Sequence, residues 1–107
     1  MLSLSSASHQ RDIVQGIIFR ALQNLNQELG PESQIAICDD TLLLGEESQI
    51  DSLSLVSVIV DVETVLADEL DLVVSLTDDR AMRHEPSPYT DVQALIAYTL
   101  LLLSERS

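Results

Sequence analysis

Residues 52–70 read Ser-Leu-Ser-Leu-Val-Ser-Val-Ile-Val-Asp-Val-Glu-Thr-Val-Leu-Ala-Asp-Glu-Leu, and whether they form a strand or a helix decides the fold. Val, Ile and Thr are stiff at χ1 and lower helix propensity, so a strand competes over Leu55–Val65. Spacing settles the choice. Leu55, Ile59, Val62, Leu66 and Leu70 recur at three- and four-residue intervals, which line one side of a helix. The acids Asp61, Glu63, Asp68 and Glu69 break the apolar run, and no neighbouring stretch offers a hairpin partner. A helix over 52–70 is therefore predicted.

Upstream, residues 30–51 have no sustained period. They contain Pro31 and Gly45, interrupted by Ile35, Ile37, Leu42, Leu43, Leu44 and Ile50. A loop this long inside a small domain must pack its own side chains or carry function. It reads as pinned over the core, with one short turn at 39–43. Before it, Ile13, Ile17, Ala21, Leu25 and Leu29, with Val14, Ile18 and Leu22 alongside, give helical spacing. This predicts a first helix over 9–29, with Ser8 as its N-cap, Gly30-Pro31 as its stop and a flexible start at 1–8.

Downstream, Leu72-Val73-Val74 precedes a polar stretch with Pro86 and Pro88. Thr77-Asp78-Asp79 opens a single helical turn to about Met82 within the 71–89 connection. Thr90 with Gln93 reads as a capping box for a last helix over 90–103. Val92, Leu95, Ile96, Thr99, Leu100 and Leu103 form its buried side, and 104–107 a tail. The fold expected is all-α: a single domain over 9–103, built as a small three- to four-helix bundle with a long first loop.

Composition agrees. Apolar residues make up 46% of the 107, but aromatics only 3%, so the core is aliphatic, as suits helix on helix. A net charge of −13 repels nucleic acid and anionic membranes and favours partners with basic patches. A lone cysteine, Cys38, has no internal disulfide partner and fits a reducing cytoplasm. With His9 and His84 distant in sequence, no metal site is legible. The Ser-rich start lacks the basic and apolar regions of a signal peptide, and Leu100–Leu103 is too short to span a bilayer.

The residues Ile50-Asp51-Ser52-Leu53, with Leu44-Gly45 shortly before them, resemble the attachment site of acyl and peptidyl carrier proteins. The resemblance extends to the helix order over 9–103. It implies that Ser52 carries 4'-phosphopantetheine, installed by a phosphopantetheinyl transferase, and that the arm's thiol holds cargo as a thioester. It implies Asp51 as cap and recognition residue, and Leu53, Val56 and Val60 as the apolar contact with partners. Asp61 and Glu63 would meet basic patches on acyl-loading and acyl-transferring enzymes. The protein expected is a monomeric, freestanding cytoplasmic carrier, not itself an enzyme. Fatty-acid carriers usually place acids soon after the serine, where this chain has Ser54 and Ser57, and 71–89 is longer than in a minimal carrier. Both departures suit a specialised fatty-acid, lipid or polyketide pathway.

Two other readings stand beside this one. An aminoacyl or peptidyl carrier, for nonribosomal synthesis or envelope modification, changes only the cargo. A helical interaction module, whose second helix docks in a partner groove or forms a dimer, needs no modification at all. In that case Asp51 and Ser52 are simple cap residues. An enzyme is the weakest reading, since no metal cluster, nucleophile–base pair or phosphate loop is visible.

Overall fold

Helix α2 spans Ser52–Leu70, with the bounds that its spacing predicts. It is flanked in the computed structural model, which describes residues 2–44, 48, 50–85 and 87–106, by α1 (Leu2–Glu28), α3 (Asp79–Arg83) and α4 (Val92–Arg106). Among the described residues there is no strand, only an isolated antiparallel bridge between Leu42 and Asp91. The protein is a small all-α bundle. α1 is the central element, packed against both α2 and α4. At about 1.5 Å per residue, its 27 residues set the 44 Å long axis of the molecule.

Two ends differ from expectation. The first helix begins at Leu2, not near residue 9, so helical backbone covers the segment read as a flexible start and runs through Ser8. Serine costs an interior helix little, so its presence does not force a terminus. α4 begins at Val92, and its cap is Asp91, whose Oδ1 accepts from the Ala94 amide at 2.8 Å. Gln93 is not in a capping box with Thr90. Its side chain donates to Asp40 Oδ1 at 3.0 Å. The helix then continues to Arg106, through most of the stretch read as a tail.

The core is aliphatic. Val14, Ile18 and Leu22 of α1 meet Val62 and Leu66 of α2 and Val92 and Leu95 of α4 in one buried cluster, all fully excluded from solvent. Each such side chain contributes roughly 1.5–3 kcal/mol relative to exposure.

The 30–51 loop is pinned, as its apolar residues imply. A 3₁₀ turn at Pro31–Ser33 follows α1, and Ile35, Leu43 and Ile50 are buried. Thr41 Oγ1 donates to the Ala36 carbonyl at 2.7 Å and accepts from the Cys38 amide at 2.9 Å, closing a turn at 38–41. The first amides of a helix have no partner within it. Those of α4 find theirs in this loop: Val92 donates to the Thr41 carbonyl and Gln93 to that of Asp39, both at 3.0 Å. Arg11 and Gln15 of α1 hold the Asp39 carboxylate from the other side. The loop thus ties the two ends of the chain together.

Between α2 and α4, Asp78 caps the one-turn α3, with Oδ1 accepting from the Ala81 amide at 3.0 Å. This matches the turn read from Thr77-Asp78-Asp79. Of the apolar trio that follows α2, Leu72 is buried, Val74 half-buried and Val73 fully in solvent.

Candidate functional site

Ser52 occupies the first position of α2, and its side chain is exposed. Asp51 precedes it in an extended conformation and caps the helix, its Oδ1 accepting from the Ser54 amide at 2.7 Å. That bond comes first among the causes that hold the Asp51 carboxyl below the ordinary aspartate range, followed by the Ser54 hydroxyl and, after a small opposing desolvation, by the Leu53 amide. The first turn of α2 therefore already stabilises an anion. The helix dipole also favours a phosphodiester on the adjoining serine oxygen, whereas the Ser54 amide is already taken by Asp51, whose own charge opposes a second anion.

From Ser52, three side chains descend one face of α2. Leu53 is 82% exposed, Val56 54% and Val60 52%. The stripe at Leu55, Ile59, Val62 and Leu66 is buried, joined there by Val58, and Leu70 is half-buried. The helix thus has two apolar faces, one facing the core and one facing solvent. Leu44 and Met82 add exposed apolar surface near the serine end. No acid lies in the first turn.

Asp61 is exposed. Glu63 is half-buried, and its Oε2 accepts from the Leu76 amide at 2.6 Å. It is therefore committed to holding the 71–78 segment, a role that its sequence position does not show. Glu69 pairs with Arg20 of α1 at 3.0 Å, which leaves Asp61 and Asp68 as the exposed acids of this helix without such bonds among the described residues. Gly45, read with Leu44 as the approach to the serine, lies outside the described residues.

Beside Ser52 lies an apolar cavity of about 230 Å³, lined by Leu44, Ser52, Leu55, Val56, Ile59, Thr77, Met82 and Tyr89. An apolar cavity of about 150 Å³ suffices for a benzene ring, so this one has room for a short aliphatic chain. Ser52 is part of its wall. A larger open groove of about 730 Å³ runs between 71–80 and the end of α4. Its lining includes Asp71, Asp78 and the Arg80–Glu105 ion pair, which suits water and ions rather than hydrocarbon.

Sequence reasoning singled out Ser52, Asp51, Leu53, Val56 and Val60, and the structure sets them along the N-terminal half of α2. It did not find Tyr89, Thr77 or Met82 as cavity walls. These come from segments 71–89 and reach the cavity only through tertiary packing, so no local periodicity marks them.

No other side chain hydrogen-bonds the Ser52 hydroxyl among the described residues. Nor is there a group of three His, Cys, Asp or Glu side chains arranged to hold a metal ion. No helix is long and apolar enough to cross a membrane. No protein-family model, curated protein or solved structure matches this chain.

Proposed function

We propose that the protein is a carrier that holds an acyl intermediate as a thioester on a 4'-phosphopantetheine arm attached to Ser52. One observation carries the reading: an exposed serine at the first position of a capped helix stands on the wall of an apolar cavity. The serine oxygen would lose its proton and attack the pantetheine-bearing phosphorus of coenzyme A, forming the new phosphodiester as the pyrophosphate bond breaks and adenosine 3',5'-bisphosphate leaves. Asp51 fixes the turn that presents the serine, and the helix dipole balances part of the new charge. The arm supplies a terminal thiol, on which the cargo rides. By this reading the chain performs no bond chemistry unaided. A phosphopantetheinyl transferase modifies it, and loading and transferring enzymes act on the thiol.

Partners would approach over Leu53, Val56 and Val60. Apolar burial there gives affinity, and the acidic surface steers enzymes with basic patches toward it. A chain of net charge −13 repels a second copy of itself, which favours a monomer. The cavity favours an aliphatic cargo over an aminoacyl one, and with it a specialised fatty-acid, lipid or polyketide pathway in the cytoplasm.

The solvent-facing apolar stripe also supports a second reading, an interaction module that docks this face into a partner groove without modification. Intact mass separates the two. The protein is incubated with coenzyme A and a broad-specificity phosphopantetheinyl transferase, as wild type and as Ser52→Ala. The carrier reading expects one phosphopantetheinyl addition on wild type and none on the variant. An unmodified, folded wild type, beside a known carrier modified in parallel, would leave the interaction module as the better account.

A further inference from the structure

We infer that Glu63 and Tyr89, by clamping Leu76 from two sides, fix the depth of the cavity beside Ser52 and so set the length of aliphatic chain it accepts. Leu76 is fully buried in the segment that joins α2 to α3. Its amide donates to Glu63 Oε2 at 2.6 Å, and its carbonyl accepts from the Tyr89 hydroxyl. Both peptide groups of one residue are thus held by side chains, one from α2 and one from just before α4. No other residue of the 71–78 segment is held in this way among the described residues.

The clamp coincides with the cavity. Tyr89 lines it, and Thr77, the residue after Leu76, lines it as well. Leu55, Val56 and Ile59 form the opposing wall on α2. Glu63 follows Ile59 by one helical turn, so the two side chains neighbour each other on α2. The clamp therefore ties the loop wall to the helix wall at a fixed separation. Burial, and the nearby charges of Asp78 and Glu63, push the Tyr89 phenol above its ordinary range, so it remains a donor throughout the neutral range. Breaking the clamp frees the loop wall to move away from α2, and the cavity deepens. The aliphatic nature of the cargo rests on the carrier reading. The cavity and its clamp are properties of the unmodified chain.

The test uses that unmodified chain and a series of straight-chain primary alcohols of increasing length. Binding is followed by NMR through the methyl shifts of Leu55, Val56 and Ile59, in wild type, Tyr89→Phe, Glu63→Ala and Glu63→Gln. Wild type is expected to bind more tightly with each added methylene up to a cut-off and then to stop. Tyr89→Phe keeps the ring but loses the donor. It should move the cut-off to longer chains and bind the first alcohol excluded by wild type at least about tenfold more tightly. Glu63→Ala should do the same, while Glu63→Gln, which keeps an acceptor oxygen for the Leu76 amide, should retain the wild-type cut-off. Asn26→Ala, which loosens the fold far from the cavity, should leave it unchanged.

An unchanged cut-off in both folded clamp variants overturns the inference. So does an equal shift in Asn26→Ala, which would reduce the clamp to general stability. Shifts at the methyls of Leu72, Val74 and Leu102 in the groove between 71–80 and α4, with none at Leu55, Val56 and Ile59, would overturn the cavity assignment itself. Because Ser52 is never modified in this experiment, its result stands apart from that of the mass measurement.

Discussion

Asn26 pairs its side-chain amide with the main chain of Ile35 through two hydrogen bonds, Nδ2 to the carbonyl at 2.9 Å and Oδ1 from the amide at 2.8 Å. A side chain on the last turns of α1 thus satisfies both peptide groups of a residue nine positions on. Ile35 is held with its side chain in the core, and the loop starts in the direction that brings Thr41 and Asp39 to the N-terminus of α4. Replacing Asn26 with Ala leaves two part-buried backbone groups without these partners. At about 1 kcal/mol per bond, Asn26→Ala should cost roughly 2 kcal/mol, read as a lower urea midpoint at unchanged slope. A variant as stable as wild type would show that water replaces both bonds.

Asp71 carries the opposite kind of local signal. It ends α2 at φ 56° and ψ 28°, the only positive-φ residue other than glycine among the described residues. Its amide and that of Leu72 both return to the Leu66 carbonyl, the latter at 3.1 Å. The conformation is needed to turn the chain, but a residue with a Cβ bears a cost of about 1 kcal/mol there. Asp71→Gly should therefore stabilise the protein by about that amount and raise Tm by about 5 °C, whereas Asp71→Ala should not. Equal Tm values for the Gly and Ala variants would mean that the turn carries no such strain.

These two residues show where local sequence suffices and where it does not. The bounds of α2 are legible because a cap, Asp51, and a buried stripe of period 3.6 agree on the same start and direction. The end of α1 follows from Gly30-Pro31. The start of α4 does not follow from its own residues. Thr90 and Asp91 can both cap, and the choice falls to Asp91 because carbonyls of Thr41 and Asp39, some fifty residues earlier, take up the amides of Val92 and Gln93. Sequence alone cannot weigh bonds at that separation.

The candidate site divides in the same way. Leu53, Val56 and Val60 are separated from the core stripe by helical geometry alone, so their exposure was legible. The cavity draws its walls from four separate stretches of chain. Glu63 has the same sequence character as Asp61, two residues earlier. Only the path of the 71–78 segment turns one into a clamp and leaves the other on the surface. What makes the serine's surroundings specific to this chain is therefore long-range, although the serine itself is announced locally.

Acid provides a test of the cap beneath Ser52. The Asp51 carboxyl is held below its ordinary range by the Ser54 amide, Asp39 by Gln15 and then Arg11, and Glu105 by Arg80. A carboxyl whose folded pKa is depressed stabilises the fold above its unfolded pKa, near 4. That contribution is lost as pH falls through the folded value. Relief of self-repulsion in a chain of net charge −13 acts in the other direction as acids protonate, so wild-type stability against pH does not isolate the cap. The difference from Asp51→Asn does, because asparagine also caps well but does not titrate. The gap between wild type and Asp51→Asn in urea unfolding should be constant above about pH 5. Below about pH 4 it should move against wild type, as only wild type loses a charged cap. A gap that stays constant down to pH 2.5 or so would show that the Ser54 amide does not favour the charged form of the cap.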